Sequence, residues 1–362
     1  MDVARRRLAA QHLARPTLTR AGDVVRALGA VQSQDLAGGV WAIGARMRDG
    51  TLEDVERAIA RASIVRTWPM RGTLHFVPAE DARWMLDLLA TRASKRSEGR
   101  RRELGLTAAT LATSRALLLR ALRGGRALTR PATYALLEEH GIKTSGQRGI
   151  HILGHHAHEG TIVLGARDGK QPTFVLFDEW IARSREPPRA KALGELARRY
   201  FTSHGPATLA DLAWWTGLTQ ADARAAVAQA GRALREEAID GRAHWCASRP
   251  RRAIEPEITA HLLPPFDELL VSYKDRAAFT QRLPRGRGFG PAQLLSPTVV
   301  LDGQVVGTWT RRVSARGVTV HVTRAVRLSR EETRAVEQAG DRYGAFLGSP
   351  VVVRMQPSQP KR

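Results

Sequence analysis

Residues 207–230 read ATLADLAWWTGLTQADARAAVAQA, and this stretch decides how the chain is built. Thr208 stands where a helix needs an N-cap, with Asp211 in place as its capping-box partner. Leu209, Leu212 and Trp215 then recur at helical spacing. Gly217 supplies the left-handed residue that closes a helix, and Thr219 opens a second one whose inner face is Ala223 and Val227. Two short helices joined by Thr216-Gly217-Leu218 make a helix-turn-helix. A helix at 191–204 precedes it, and strands at 235–239 and 243–247 follow, turned at Asp240-Gly241. Segment 188–260 is therefore expected to be a winged helix.

The same grammar recurs upstream, in 111–187. A helix at 114–122 is broken by Gly124-Gly125; Thr129 caps the next, with Pro131 in its first turn, where a missing N–H is tolerated. A third helix, 145–158, ends at Gly160, and strands at 161–164 and 173–177 flank Arg167-Asp168-Gly169-Lys170. Segment 1–110 is a looser copy: a helix over 21–31 on Val24, Leu28 and Val31, then strands at 64–68 and 73–77. From 261 onward the pattern becomes a smaller α+β region: a hairpin around Asp302-Gly303 with strands at 298–301 and 304–309, a strand at 318–322, a helix over 329–347 and a last strand at 351–354. Residues 355–362 read as a frayed basic tail. The expected fold class is α+β, mainly α, with tandem winged helix-turn-helix domains and a β-rich C-terminal region.

Charge narrows the function. Lys plus Arg is 57 against 35 for Asp plus Glu, a formal net charge of +22. A polyanionic partner is the simplest reason to tolerate that self-repulsion. An arginine-biased genome accounts for Arg in place of Lys, but not for the shortage of acids. Cys246 is the single cysteine, which excludes a disulfide framework and a cysteine-based zinc site. No apolar run is long enough to span a membrane, and the basic start of the chain is not followed by the apolar core of a signal peptide. The expectation is a cytoplasmic, nucleoid-associated protein that binds double-stranded DNA as a monomer, with no membrane partner and no cofactor.

Several groups are candidates for chemistry. Gln32-Ser33-Gln34-Asp35 places two amides, each both donor and acceptor, just past the helix read at 21–31; on pattern alone, a polar helix end reads the same way. In the expected first wing, Arg66, Thr67, Arg71, Gly72, Thr73 and His75 are residue types that contact phosphates. Lys143 and Arg148 in the second unit, and Arg311, Arg312 and Arg324 at late strand ends, join them as expected DNA contacts. His151, His155, His156 and His158 cluster on one helix, but Ile152 stands where a zinc-protease motif needs Glu and no third ligand is evident, so no metal is expected. The glycine-rich stretch Gly286-Arg287-Gly288-Phe289-Gly290 starts no helix and reads as a basic loop rather than a nucleotide site.

Taken together, Ala30-Val31-Gln32-Ser33-Gln34-Asp35, Arg66-Thr67-Trp68-Pro69-Met70-Arg71-Gly72-Thr73-Leu74-His75, Phe266-Asp267-Glu268 with Tyr273-Lys274-Asp275-Arg276, and Val306-Gly307-Thr308-Trp309 resemble the AlkZ family of crosslink-repair DNA glycosylases. The resemblance implies tandem winged helices around duplex DNA and hydrolysis of the N-glycosidic bond of N7-alkylated purines, including interstrand crosslinks and toxin adducts. It also implies catalytic roles for Gln32 and Gln34, the ends of the family's Gln-aliphatic-Gln motif. Ser33 departs from the aliphatic middle position. Asp35 is an alternative carboxylate for either task. N7 alkylation makes the base a cationic leaving group, so a placed water and stabilised positive charge suffice without a strong general acid. No lysine stands in the motif, which points away from a Schiff-base route and towards a monofunctional enzyme. The alternative from another class is a non-catalytic winged-helix DNA-binding protein or transcription regulator.

Overall fold

The structure is a computed structural model that describes residues 3–169, 171–251, 258–284, 290, 292–314 and 316–357. Lys170, most of the basic loop at 286–290 and the tail beyond 357 lie outside these residues. The chain forms two compact units, one from residues up to Val55 together with those from Leu193 onward, the other from Glu56 to Ala192. The architecture is mixed α+β.

In the first unit the helix-turn-helix forms as its caps dictate. Thr208 and Asp211 close a reciprocal capping box on the Leu209–Thr216 helix, and Gly217 ends it in a left-handed conformation. Thr219 caps Gln220–Ala230, and Leu234–Ile239 pairs with Arg242–Ala247 across Asp240-Gly241. Asp240 and Gly241 both have positive φ, the backbone that a tight hairpin turn requires. Trp215, Leu212 and Ala223 are buried as their spacing foretells, but in the second helix Ala226 is buried and Val227 only partly so, which shifts the inner face by one residue from the expected one.

The C-terminal part of this unit is a five-stranded sheet in the order Val351–Pro357, Gly317–Arg324, Gln304–Ser314, Thr298–Leu301, Ala260–Leu263. Its last pairing, Gly317–Arg324 with Val351–Pro357, is parallel. A parallel pair needs a crossover, and the Arg330–Leu347 helix supplies it. Residues up to Pro357 extend the final strand, so 355–357 are not the frayed tail expected, and 358–362 lie outside the described residues. The Ala260–Leu263 strand was not legible beforehand.

The helix read at 21–31 ends earlier, at Leu28, because Gly29 takes a positive φ and returns its N–H to Val25 O. Val31–Gln32 is a short strand, and Leu36–Gly44 is a separate helix capped by Asp35. The glutamines therefore stand between two helices rather than at the end of one.

In the second unit the strands Thr73–Pro78, Ile64–Met70, Ile162–Asp168, Gln171–Leu176 and Leu128–Thr129 lie side by side in that order. The two hairpins foreseen as wings of separate domains are thus joined antiparallel, with Arg66 opposite Leu164. Leu74, Leu118, Leu122, Leu153, Ile162, Leu164 and Phe174 pack as one apolar core, and Leu106, Leu117, Leu137, Ile142 and Ile152 as another. The helical stretch from Ala82 to Glu103, with a wide π-type turn at Leu86–Ala90, had no sequence reading. Its last part, Thr91–Glu103, is too polar to show an apolar stripe.

Candidate active site around the glutamine segment

The glutamine segment is short, and its surroundings are unusual. Gln32 and Ser33 are buried, while Gln34 and Asp35 are exposed. Asp35 accepts the N–H of Gly38 at 2.5 Å and so caps the Leu36–Gly44 helix. That bond commits one carboxylate oxygen of Asp35 to the helix start. Gly39 explains why this helix lies so close to the segment. A Cβ there would come within 2.6 Å of Ser33 Cβ and 2.9 Å of Ser33 Cα. Gly38 is equally constrained, since a Cβ would stand 2.8 Å from Asp35 Oδ1 and 3.2 Å from Pro265 Cδ. The small side chain of Ser33, a departure from the aliphatic residue of the motif, thus lies buried where a helix backbone closes over it.

Behind Gln32 lies a buried polar network. The Gln32 N–H donates to Glu268 Oε1 at 2.6 Å. Glu268 Oε2 accepts Trp215 Nε1–H at 2.9 Å and also the Ser272 hydroxyl. Gln11 Nε2 donates to the Glu268 carbonyl at 3.3 Å, and Gln11 Oε1 accepts from Arg46 Nη2 at 2.7 Å. Arg46 grips Asp267 with both terminal nitrogens, at 2.9 and 2.8 Å. Tyr273 OH donates to the His204 carbonyl, and Tyr200 OH to the Ser272 carbonyl. Burial holds the His204 imidazole below its ordinary range; Glu268, 3.7 Å from its Nε2, pulls the other way. Burial likewise raises both tyrosine hydroxyls. Asp267 and Glu268 were legible in the sequence as part of a motif, but without a role. Gln11 and Arg46 carried no signal at all.

The helix beside the glutamines is tied to the C-terminal sheet through the Trp41 indole, and the Trp309 indole makes a matching bond within that sheet. Trp41 Nε1 donates to the Leu262 carbonyl at 2.6 Å and Trp309 Nε1 to the Leu263 carbonyl at 2.7 Å. Tyr343 stands edge-on to both rings, with centroids 4.8 and 5.4 Å away.

The expected DNA contacts separate by exposure. Lys143, Arg311 and Arg312 are exposed, Gly72 is exposed, and Arg71, Thr73, Arg148 and Arg324 are partly buried. Arg66 and Thr67 are buried on the Ile64–Met70 strand, which has neighbours on both sides, and His75 is buried on the Thr73–Pro78 strand paired with it. His75 Nδ1 lies 2.9 Å from Thr73 O, and Arg71 Nη2 lies 3.5 Å from His75 Nε2. Arg148 hydrogen-bonds the carbonyls of Lys143 and Leu104, and Arg311 the hydroxyl of Tyr343. The Thr91–Glu103 helix adds exposed Arg92, Lys95, Arg96 and Arg102, which sequence reading passed over although the run of basic residues was visible.

The histidines of the Arg148–His158 helix divide similarly. His156 lies 2.8 Å from Ser114 Oγ, and burial with a neighbouring His155 lowers its pKa to about 3. Burial and Arg101 lower His158 to about 4. His155 Nε2 lies 3.2 Å from Glu159 Oε1. Among the described residues His155, His156 and Glu159 are the group with metal-ligand chemistry close together; Arg101 and Arg115 bear on these imidazoles electrostatically, and positive charge there opposes a cation. Among the described residues no helix is long and apolar enough to cross a membrane.

Comparison with known proteins agrees with this architecture. A curated protein from Streptomyces sahachiroi, an interstrand DNA cross-link repair glycosylase, is 26% identical over 91% of this chain and 97% of its own length. The solved structure of Streptomyces sahachiroi DNA glycosylase AlkZ superposes with a TM-score of 0.78 at 25% identity, covering 98% of each chain. The family model of DNA glycosylase AlkZ-like proteins matches residues 25–346, which includes the glutamine segment, the Phe266-Asp267-Glu268 turn and the C-terminal sheet apart from its Val351–Pro357 strand. The chain belongs to the AlkZ-like DNA glycosylase family and is an enzyme that acts on DNA.

Proposed function

We propose that this glycosylase hydrolyses the N-glycosidic bond of N7-alkylated purines in duplex DNA, interstrand crosslinks among them, and that Gln32 and Gln34 carry the chemistry. The observation that supports this most is the different setting of the two glutamines: Gln32 is buried and held by the buried Glu268, while Gln34 stands exposed two residues on. The cationic base leaves without a strong acid. The site's task is then to hold a water against C1′ and to stabilise positive charge on the sugar. Gln34 orients that water, and Gln32 holds the water or the sugar. Asp35 is the less favoured candidate, since capping occupies one of its oxygens.

Binding is proposed to run through the exposed cations Lys143, Arg311, Arg312, Arg92, Lys95, Arg96 and Arg102, with Arg71, Gly72, Thr73, Arg148 and Arg324 at partly exposed positions. These contacts read backbone phosphate, not sequence. Division into winged helices at 1–110, 111–187 and 188–260 with an α+β region at 261–362, action as a monomer, and work beside the chromosome in the cytoplasm complete the reading.

The test is release of 7-methylguanine from alkylated duplex DNA by the wild type and by Gln34→Ala. A parallel gel assay follows the separation of crosslinked strands. Release that largely vanishes in the variant, with duplex binding retained, is the expected result. Release that survives in Gln34→Ala overturns the assignment of Gln34 and moves it to Asp35.

A further inference from the structure

We propose that Glu268 is a positioning residue for the glycosylase reaction, fixing the backbone of segment 32–34 so that the two glutamine amides meet the substrate in register. The proposal deepens the reading of Gln32 and Gln34 given above and rests on it.

The geometry is that of a socket. Glu268 is fully buried, and it opens a one-turn helix, Glu268–Val271, whose cap is Asp267. Both residues are pinned from behind. Asp267 accepts two nitrogens of the buried Arg46, and the Glu268 carbonyl accepts Gln11 Nε2. The Glu268 backbone is thus held before its side chain does anything. That side chain then spends its oxygens on donors from separate parts of the chain: Gln32 N–H on Oε1, and Trp215 Nε1–H with the Ser272 hydroxyl on Oε2. The Gln32 N–H thus shares one carboxyl group with two donors from other parts of the chain, at 2.6 Å from Oε1.

Stability is a poor reason for such an arrangement. A buried ionic group is often no better for folding than an apolar one of the same volume. An apolar side chain at 268, however, would leave the Gln32 N–H without this acceptor at the end of a short strand. Catalysis supplies a reason, because reacting groups tolerate little displacement. A shift of about 1 Å from a residue that does no chemistry costs roughly 10²-fold in rate. Gly39 packs Ser33 from one side and Glu268 holds Gln32 from another, so the segment between them has little freedom.

The test compares Glu268→Gln, Glu268→Ala and Ser329→Ala in the full chain on duplex DNA carrying 7-methylguanine. Glu268→Gln keeps the volume but has a single acceptor oxygen, so Gln32 N–H and Trp215 Nε1–H, which use different oxygens of Glu268, cannot both keep their acceptor and the hold on residue 32 is lost or displaced. Ser329→Ala removes only the cap of the Arg330–Leu347 helix and serves as the control for lost stability. Single-turnover release at saturating enzyme, the duplex Kd, Tm and hydrogen exchange over residues 31–36 are measured for each. The expected result is a fall in single-turnover rate of about 10²-fold in Glu268→Gln, with unchanged Kd and faster exchange confined to 31–36. Should Glu268→Ala fail to fold, Glu268→Gln carries the test alone. A wild-type rate in Glu268→Gln overturns the proposal. So does a loss of rate and Kd together that Ser329→Ala reproduces at an equal fall in Tm, because that is a structural effect. A wild type that releases no base removes the reading of the site itself, and it is recognised without any variant.

Discussion

Arg46 and Asp267 face each other as a two-point ion pair, at 2.9 and 2.8 Å, with neither side chain exposed to solvent. Breaking one side of such a pair strands a charge in the interior. Asp267→Ala is therefore expected to cost about 3–5 kcal/mol of stability, read by urea denaturation. Replacing both partners together, Arg46→Met with Asp267→Leu, is expected to cost much less, because no charge is left alone. A double variant no more stable than Asp267→Ala contradicts this account.

Gly39 and Ser33 make a second prediction. The Leu36–Gly44 helix approaches the segment so closely that a Cβ on residue 39 meets both the side chain and the backbone of Ser33. Gly39→Ala is expected to destabilise by about 1–3 kcal/mol through overpacking and to slow base release as the segment shifts. Enlarging the other partner, in Ser33→Ile, is expected to act in the same direction. Thermal melts and single-turnover rates on the two variants check both. A gain of stability in Ser33→Ile would show that the aliphatic middle residue fits here after all.

Duplex binding carries a salt signature. With Lys plus Arg at 57 against 35 acids, phosphate contacts dominate the expected affinity. Each of Arg92, Lys95, Arg96, Arg311 and Arg312 that touches a phosphate lowers the slope of log K against log salt by roughly 1 when replaced by Ala. Affinity falls nearly uniformly across sequences, as measured by fluorescence anisotropy on unrelated duplexes. A sequence-dependent loss contradicts a backbone role for the residue concerned.

Acid should unfold the protein early. Burial depresses His12 and His158 to about 4, and His156 and His261 to about 3, from an ordinary 6.5. Between these values the unfolded chain takes up protons that the folded chain refuses. Stability is complete above pH 6.5 and declines as pH falls towards 4 and then 3. Tm measured across pH 7.5 to 4 should drop steadily, and less so in His156→Gln. A flat profile in the wild type would falsify the buried, neutral assignment of these imidazoles.

The sequence by itself determined whatever depends on neighbours along the chain. Thr208 with Asp211, Gly217, Thr219 and Asp240-Gly241 fix helix ends and a tight turn through bonds between residues a few positions apart, so the helix-turn-helix and its hairpin were legible. The same holds for the Ser329-capped helix and the hairpin around Asp302-Gly303. The glutamine segment was legible too, but only as a motif. Tertiary structure decided what surrounds it. Gln11, Arg46, Trp215 and the Asp267–Ser272 segment are far apart in sequence, and the hydrogen bonds between them exist only once the chain has folded. Burial followed the same rule. Arg66 and Thr67 look like surface groups by type, yet their strand, Ile64–Met70, runs between Thr73–Pro78 and Ile162–Asp168, and long-range strand pairing has no local signature. Local chemistry wrote the elements, and the closing of distant segments around a few buried polar groups selected which side chains face solvent and which hold the site.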